Sequence, residues 1–582
     1  MRPAPRLAVR LVAGAVAISG LVFAVVFLYR HYKPTDQVAA APPDSKVEQQ
    51  VLFETWPQVR QPDLVLVLSG QTYGYLQKCG CSHPQKGGLE RRYNFIESLK
   101  ARGWEVMGLD VGDVPRPLHY TPTTQQTLTK YEVAMQAMKL MGYKAVGVGK
   151  EELALPLLEG LTKYTLQKGN EYPKVHAANI ANPEEFPGND GKSALTESDV
   201  LVSKSGVSVG VVSVAGAEVV SKGVDRSVKY SADTGAVVGT VLQGWKKSAK
   251  APDVNVLLYQ GPFNWTEPGT GKKVDAHTAA QAFPDFHIVL CKTPDDSDAP
   301  NMPTVVNDGK TMICQVGQKG QSISLVGIFK GPKGIELYYQ RVIMTEEFET
   351  PEAKEKGHPV LKLLQDYSDT VRDNDYLSEM AKRKKLHVAQ ALSRHEKNAF
   401  VGDSECKNCH LAEWTKWNES KHAHAYDALA KIAKHPVGRN FDGECIICHT
   451  VGYEYKTGYV NEKQTAHLKN VQCEACHGPA SLHVAEETAN LKKKVPSREY
   501  LASLSPWKVN GKGALPPLDK LAAMANEKDP TKSEAMLTPA EQPVFLAVIQ
   551  QCVRCHDMDN DPKFKLEAYW PNVAHTGLKK GN

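Results

Sequence analysis

The first long segment of the chain alternates short apolar runs with stretches of helical spacing. From Asp63 to about Met344, runs of strand length recur, and stretches such as Leu89 to Ala101 and Tyr131 to Met141 separate several of them. The clearest runs are Leu64-Val-Leu-Val-Leu, Val106-Met-Gly-Leu, Val209-Gly-Val-Val-Ser-Val and Val254-Asn-Val-Leu-Leu. Runs of this length are typical of buried strands, and their alternation with helices predicts an α/β domain over residues 62–346.

The pattern changes twice after this segment. Residues 347–399 are rich in charge, and their apolar positions recur at helical spacing, which predicts a helical connector. Those positions are Leu361, Leu364, Tyr367 and Val371. Residues 400–582 show little strand pattern and are predicted to form a mostly helical domain.

The beginning of the chain predicts a membrane anchor over residues 1–33. Arg2, Arg6 and Arg10 precede an uncharged apolar run from Leu11 to Tyr29, which is long enough to cross a bilayer as a helix. No small-x-small cleavage pattern precedes the polar stretch that follows, so we interpret the run as a retained anchor, and the alternative is a cleaved signal peptide. Residues 34–61 are polar and contain proline, and they are predicted to be a tether.

Length and charge add little to this division. A chain of 582 residues is long enough for two or three domains with cores of their own. The formal net charge of +5 is small for that length, so charge gives no argument for a nucleic-acid partner.

Four Cys-x-x-Cys-His motifs in the C-terminal segment carry the clearest chemistry. They are Cys406 to His410, Cys445 to His449, Cys473 to His477 and Cys552 to His556, with the second cysteines at Cys409, Cys448, Cys476 and Cys555. This spacing is typical of covalent attachment of c-type haem, because both thiols can bond one porphyrin while the adjacent histidine reaches the iron. Disulfides or zinc knuckles are the alternatives, but neither requires a histidine after each pair. The motifs predict four covalent haems.

Haem attachment of this kind takes place outside the bacterial cytoplasm. We therefore expect a single-pass protein of the bacterial inner membrane, with the bulk of the chain in the periplasm. In that oxidising compartment the cysteines outside the motifs can form disulfides.

Each haem iron needs a second axial ligand or remains open. The segment from residue 400 onward has three methionines but six histidines outside the motifs, which favours haems with two histidine ligands and low potential. These histidines are His422, His424, His435, His467, His483 and His575, and at least two of them are expected to be ordinary surface residues.

The C-terminal segment resembles the tetrahaem cytochrome c of nitrifying bacteria that accepts electrons from hydroxylamine oxidoreductase. The resemblance rests on Trp417-Asn-Glu-Ser-Lys-His422, Gly452-Tyr, Cys476-His477-Gly-Pro and Tyr569-Trp-Pro followed by His575. It implies that His422 binds the fourth haem, His483 the first and His575 the third, and that the second haem is five-coordinate. His424 and His467 lie outside the matched pattern, and either could close the second haem.

The α/β segment resembles the metallophosphoesterase domain of periplasmic 5′-nucleotidases. The matching stretches include Gly87-Gly-Leu-Glu-Arg-Arg, Leu109-Asp-Val-Gly-Asp113 and Ala178-Asn-Ile, in the order of that family. Its metal ligands are replaced at nearly every position except Asp113. The replacing residues are Gln71, Tyr73, Lys150, Glu151, Gln260, Lys292 and Pro294. A two-metal phosphoesterase requires carboxylate and imidazole ligands, so we predict an inactive scaffold.

Four cysteines lie outside the haem motifs: Cys79, Cys81, Cys291 and Cys314. Structural disulfides are one interpretation in the periplasm. The other is a thiolate site for a soft metal at the rim of the former cleft, formed by Cys79, Cys81 and Cys291 with His83.

Three functions follow from these observations. The first is a membrane-anchored electron carrier with periplasmic or membrane redox proteins as donor and acceptor. The second is a multihaem oxidoreductase acting on a small nitrogen compound at an open second haem. The third is hydrolysis by the α/β domain, which the lost ligands disfavour.

Overall fold

The computed structural model describes most of the chain after residue 49. The described residues are 50–78, 85–117, 123–222, 225–231, 233–249, 251–294, 297–332, 334–391, 397–432, 438–493, 515–557, 559–561 and 563–575. Among these residues, no helix combines the length and the apolar character that crossing a bilayer requires. The predicted anchor, residues 1–33, lies outside the described residues.

Two β-sheets form the α/β domain. The first sheet has seven strands in the order β13-β12-β1-β2-β3-β4-β5, and the second has six in the order β10-β11-β9-β8-β7-β6. The strands are β1 (Leu64–Ser69), β2 (Val106–Asp110), β3 (Tyr143–Gly147), β4 (Lys174–His176), β5 (Leu195–Thr196), β6 (Ser198–Val202), β7 (Ser208–Ala215), β8 (Val254–Pro262), β9 (Ile288–Lys292), β10 (Thr304–Val306), β11 (Thr311–Gln315), β12 (Ser322–Gly331) and β13 (Gly334–Ile343). The central strands pair in parallel, with Val65 opposite Val106 and Val209 opposite Val254, which confirms the predicted α/β sandwich.

Helices cover the outer faces of both sheets. They are α1 (Leu89–Ala101), α2 (Thr124–Met141), α3 (Lys150–Ala154), α4 (Leu157–Lys163), α5 (Ala217–Lys222), α6 (Thr234–Lys247) and α7 (Ala276–Ala282). Alternate residues of each strand face opposite sides, so Leu66 of β1 lies in the core between the sheets while Val67 packs in the core of the first helical layer. This arrangement buries both faces of the central strands, which explains their continuous apolar runs.

The last part of the predicted tether, residues 50–61, is packed against the α/β domain, and residues 34–49 lie outside the described residues. Residues 50–61 pack against the outer strands of the first sheet, where Phe53 and Trp56 are buried. The Trp56 ring stacks on Trp104 with centroids 5.7 Å apart, and its indole N–H donates to the Tyr339 carbonyl at 3.4 Å. Two large aromatic rings gain more by burial than by exposure, so this part of the segment belongs to the domain.

The connector is helical and lies against the α/β domain. Its helices are α8 (Glu352–Glu355), α9 (Pro359–Asp373), α10 (Tyr376–Ala381) and α11 (Val388–Ala391). The apolar face of α9 joins the core that contains α1 and α2, and Leu361, Leu364, Tyr367 and Val371 are all buried there. Helix α9 is therefore part of the α/β domain, whereas Leu377 of α10 packs in a cluster of the C-terminal region and the Gln390 amide of α11 donates to the Lys456 carbonyl there at 3.2 Å.

The C-terminal region is helical, as predicted. Its helices are α12 (Asp403–Lys407), α13 (Leu411–Asn418), α14 (Ala425–Asp427), α15 (Gly443–His449), α16 (Glu462–Thr465), α17 (Cys473–His477), α18 (Ser481–Lys493), α19 (Leu518–Asn526), α20 (Pro530–Ala535), α21 (Gln542–Cys552) and α22 (Leu566–Val573). Two small clusters of buried apolar residues lie in this region, one around Ile446 and Tyr459 and one around Leu521 and Val548.

Candidate functional sites

Short helices carry the Cys-x-x-Cys-His motifs. The second motif lies in α15 and the third in α17, while Cys406 lies in α12 and Cys552 ends α21. Helical geometry brings the two cysteines of a motif onto one side, because residues three apart are neighbours on a helix. Asp442 caps α15, and its side chain accepts the Glu444 backbone N–H at 3.0 Å.

Three motif histidines face a second histidine ring. The ring centroids are 6.4 Å apart for His410 and His483, 6.0 Å for His556 and His422, and 6.0 Å for His477 and His575. Two imidazoles on one metal ion, each with a nitrogen about 2 Å from it, have centroids about 6 Å apart. Each pair therefore leaves room for one iron between its rings, and the pairs join the residues that the sequence analysis matched to one another.

Hydrogen bonds orient several of these rings. The Nδ1–H of His449 donates to the Ala425 carbonyl at 2.6 Å, and that of His575 donates to the Val573 carbonyl at 3.0 Å. The Nδ1–H of His556 donates to the Asp561 carboxylate at 2.8 Å. Each bond holds the proton on Nδ1 and leaves Nε2 free, as is usual for a histidine that binds a metal through Nε2. The residues present thus fit haem iron.

The second motif differs from the others. Among the ring contacts in the described part of the chain, no second histidine faces His449. His424 and His467 are both exposed to solvent, and His435 lies outside the described residues.

Cysteine contacts show which motifs are neighbours. The thiols of Cys406 and Cys473 lie within hydrogen-bonding reach, which brings the first motif beside the third. The Cys555 thiol lies within hydrogen-bonding reach of Cys448, which brings the fourth motif beside the second. Cys409 is exposed, so one edge of the first motif faces solvent.

A separate polar site lies in the α/β domain, where the parallel strands end. Asp113 follows β2, and its carboxylate is fully buried beside the Lys292 ammonium at the end of β9, 2.7 Å away. The one position that the resemblance matched to a metal ligand is thus neutralised by a cation of the chain itself. Gln260 lies in β8 at this edge, and neither its amide oxygen nor its amide nitrogen has a partner among the described residues.

Neighbouring residues of this cleft are tied to the backbone and to each other. The Gln71 amide donates to the Tyr73 hydroxyl at 2.9 Å and accepts the Thr293 N–H at 2.8 Å. Gln71, Tyr73 and Asp113 all have positive φ, of 48°, 49° and 58°. Such conformations are costly for residues with side chains, and they cluster at functional sites.

Two further carboxylates, those of Glu151 and Glu152, lie near Asp113. Glu152 accepts backbone N–H groups of Asp113, Val114 and Gly149 at 2.8–3.0 Å. Burial, followed by repulsion from Asp113, raises the pKa of Glu152 to about 8. Glu151 pairs with Lys150 at 3.2 Å. No group of three or more His, Cys, Asp or Glu side chains in the described ranges is arranged to hold a metal ion.

Cys291 does not line the cleft as expected. Cys291 is a buried free thiol on the face of β9 that packs against α6 and α7, away from the core between the sheets. Cys314 is also free and buried, but it lies on the opposite face, between the sheets. Because the strands point these side chains to opposite faces, the two thiols do not pair with each other, and Cys291 does not belong to a site in the cleft. Cys79, Cys81 and His83 lie outside the described residues.

The cytochrome-like region contacts the α/β domain at the rim of this cleft. The Glu444 carboxylate lies 2.9 Å from the Lys130 ammonium and 3.4 Å from the Arg116 guanidinium. Asp559, close after the fourth motif, accepts the Tyr75 hydroxyl at 3.0 Å and pairs with Lys319. Helix α2 and loops at this rim therefore contact residues beside the second and fourth motifs.

Sequence reasoning missed four acidic residues of these contacts: Asp442, Glu444, Asp559 and Asp561. All four lie within five residues of a haem motif, and proximity to the motifs was the only signal available.

Sequence reasoning also missed His387, whose Nδ1 accepts the Ala389 N–H at 3.1 Å. Its Nε2 thus carries the proton, the reverse of the arrangement at His449. Burial, with a smaller effect of Arg554, lowers the pKa of His387 to about 4.

The α/β domain and the C-terminal region are similar to different known proteins. Residues 405–478 match the family described as cytochrome c554 and c-prime. Cytochrome c-554 of Nitrosomonas europaea is 33% identical over 90 residues, which cover 14% of this chain and 38% of that protein. The chain thus spans less than two fifths of the length of this relative.

Solved structures resemble the α/β domain. The 5′-nucleotidase precursor of Thermus thermophilus has 18% identity and a TM-score of 0.41, over 53% of this chain and 59% of that one. Sulfate thiohydrolase SoxB, from the same species, has 14% identity and a TM-score of 0.40, over 54% and 62%. The calcineurin-like phosphoesterase YfkN of Bacillus subtilis has 13% identity and a TM-score of 0.38, over 53% and 97%. The chain therefore combines an α/β sandwich with a C-terminal segment similar to the cytochrome c554 and c-prime family.

Proposed function

We propose that this protein is a tetrahaem electron carrier of the bacterial periplasm. The observation that carries the proposal is the set of three facing histidine pairs, with centroids 6.0–6.4 Å apart, beside Cys-x-x-Cys-His motifs. When bound, c-type haem supplies a one-electron centre whose potential depends on its axial ligands. Paired histidines favour electron transfer because they leave no open position for a substrate.

In this proposal the side chains that hold each haem are assigned motif by motif. His410, His449, His477 and His556 bind iron as proximal ligands, and the eight motif cysteines form the thioether bonds. The distal ligands are His483 for the first haem, His575 for the third and His422 for the fourth. The adjacency of the first and third motifs, and of the second and fourth, supports electron movement within each pair.

The partners and the location belong to the same proposal. Redox proteins of the periplasm or the membrane act as donor and acceptor, and the apolar run of residues 11–29 holds the chain at the inner membrane. The exposed thiols at Cys409 and Cys476 support the first and third haems as entry or exit points. Hydrolysis is not proposed for the α/β domain, because the Lys292 ammonium pairs with Asp113, the one residue that the resemblance matched to a metal ligand.

The haem count tests this proposal directly. We expect mass spectrometry of the denatured protein to show four covalent haem additions, because thioether bonds survive unfolding. A double variant, Cys445→Ala with Cys448→Ala, is expected to retain three. Fewer than four additions in the unaltered protein would contradict the proposal.

A second candidate function depends on the second motif. Because no histidine faces His449 among the described residues, its iron would be five-coordinate and open to a small nitrogen compound. We expect one high-spin haem among four, which shifts on addition of cyanide or nitric oxide, whereas the other three do not. His424→Ala and His467→Ala variants serve as controls and should leave the spin state unchanged, since both side chains are exposed. Four low-spin haems would exclude the oxidoreductase and retain the carrier.

A further inference from the structure

We propose that the rim of the former phosphoesterase cleft positions the carboxylate that sets the potential of the fourth haem. In this proposal Tyr75 and Lys319 hold Asp559, which fixes the turn that places Asp561 on His556. The inference rests on the proposed function, since it concerns the haem bound by His556. It gives the α/β domain a role that requires no hydrolytic chemistry.

The first step is the contact between Asp561 and His556. The Nδ1–H of His556 donates to a carboxylate oxygen at 2.8 Å, whereas His449 and His575 donate to backbone carbonyls. A carboxylate makes the imidazole a stronger base than a carbonyl does, and it favours the more positive ferric iron. The fourth haem is thus expected to have a lower potential than it would with a carbonyl partner.

Two further contacts fix this carboxylate and this ring. The Tyr569 hydroxyl donates to the other oxygen of Asp561 at 3.3 Å. The Phe564 ring stacks on His556 with centroids 4.8 Å apart. Asp561 itself is buried, so water does not weaken its bond to the imidazole.

The second step is the turn that joins Asp559 to Asp561. The Asp557 carboxylate accepts the backbone N–H of Asp559 at 3.0 Å and that of Asn560 at 2.7 Å. The Asp561 N–H donates to the Asp557 carbonyl at 2.7 Å. These bonds make the turn a single tight unit, so a displacement of Asp559 also displaces Asp561.

The third step is the clamp on Asp559. Its carboxylate accepts the Tyr75 hydroxyl at 3.0 Å and pairs with the Lys319 ammonium. The Arg116 guanidinium lies 4.4 Å from the centre of the Tyr75 ring, and the Lys319 N–H donates to the Gln71 carbonyl at 2.8 Å. Both clamp residues are therefore attached to the cleft, and Gln71 stands where the related phosphoesterases have a metal ligand.

Spectropotentiometric titration of the full haem-loaded protein tests the proposal. Asp561→Asn is expected to raise the potential of one haem, by about 59 mV if the equilibrium shifts tenfold for one electron. Tyr75→Phe removes one hydroxyl and no charge, and we expect a smaller rise of the same potential. In the Asp561→Asn background, Tyr75→Phe should produce no further rise, because it acts through Asp561.

Control variants show whether a change in haem potential comes from the position of Asp561 or from a general loss of stability of the α/β domain. Tyr164→Phe removes another buried hydroxyl of the α/β domain, which donates to the Tyr172 carbonyl at 2.6 Å, and should move no haem. His422→Met identifies the fourth haem, since a methionine ligand raises its potential. Failure of His422→Met to move any potential would contradict the ligand assignment of the proposed function.

Three results would overturn the inference itself while His422→Met behaves as expected. They are an unchanged potential in Asp561→Asn, an unchanged potential in Tyr75→Phe, and an equal rise for Tyr75→Phe in both backgrounds. The last would mean that Tyr75 acts independently of Asp561.

Discussion

Replacing Lys292 by methionine is expected to destabilise the α/β domain by about 3–5 kcal/mol, the cost of removing one partner from a buried ion pair. Asp113 is fully buried, and the Lys292 ammonium lies 2.7 Å from it. Without that ammonium, the carboxylate remains among Glu151 and Glu152 in a region that water does not reach. The pKa of Glu152 is already raised by burial and by Asp113, which shows how poorly this site tolerates negative charge.

Thermal and urea unfolding, followed by circular dichroism, measure this effect. Adding Asp113→Asn to Lys292→Met is expected to recover most of the loss, because neutral replacement of both partners of a buried pair is often tolerated. Lys174→Met is the matched control, since its pair with Asp199 is partly exposed and is worth less than about 1 kcal/mol. A Lys292→Met protein as stable as the unaltered one would show that the ammonium is not needed to balance the buried Asp113 carboxylate.

Local pattern was sufficient for the elements whose residues are buried on both faces. The run that begins at Leu64 is β1, and the helix expected from Leu89 to Ala101 has those bounds. The next helix begins at Thr124, seven residues before the expected start. Its first turns are polar, and the start is set by the Thr123 side chain, which accepts the Gln126 N–H at 3.0 Å.

The face of the strand to which a side chain points was harder to predict than the strand itself. Cys291 was expected in the cleft because it lies near the lost ligands in sequence, yet its side chain points to the opposite face of β9. A shift of one residue along a strand changes the face, and the sequence pattern of a strand buried on both sides does not distinguish them. Lys292, one residue later, reaches Asp113 for the same reason.

Contacts between the two parts of the chain could not be predicted from local sequence. Tyr75 and Asp559 are separated by 484 positions, and neither stands in a motif. The facing histidines were matched through the resemblance to a family rather than through spacing, since His422 lies far before His556. Long-range pairing of single polar side chains depends on how whole domains dock, which periodicity does not encode.

Replacing Glu444 by glutamine is expected to open the contact between the α/β domain and the cytochrome-like region. The carboxylate lies 2.9 Å from Lys130 and 3.4 Å from Arg116, and these side chains are 6% and 12% exposed. Removing one partner of a buried charge pair costs about 2–5 kcal/mol, because the remaining charges lose their neutralising neighbour. Asp442 compensates little, since its nearest carboxylate oxygen is 4.0 Å from Lys130 and already accepts the Tyr367 hydroxyl.

Two measurements check this expectation. Urea unfolding should separate into two transitions, one for each region, and limited proteolysis within residues 347–399 should accelerate. The haem count should not change, because Glu444 precedes Cys445 without being part of the motif. Glu462→Gln is the matched control, since its pair with Lys469 lies within the C-terminal region and is half-exposed. A single transition at an unchanged midpoint would mean that the other contacts, those of Tyr75 and Lys319 with Asp559 and of Gln126 with Asp442, hold the two regions together without help from Glu444.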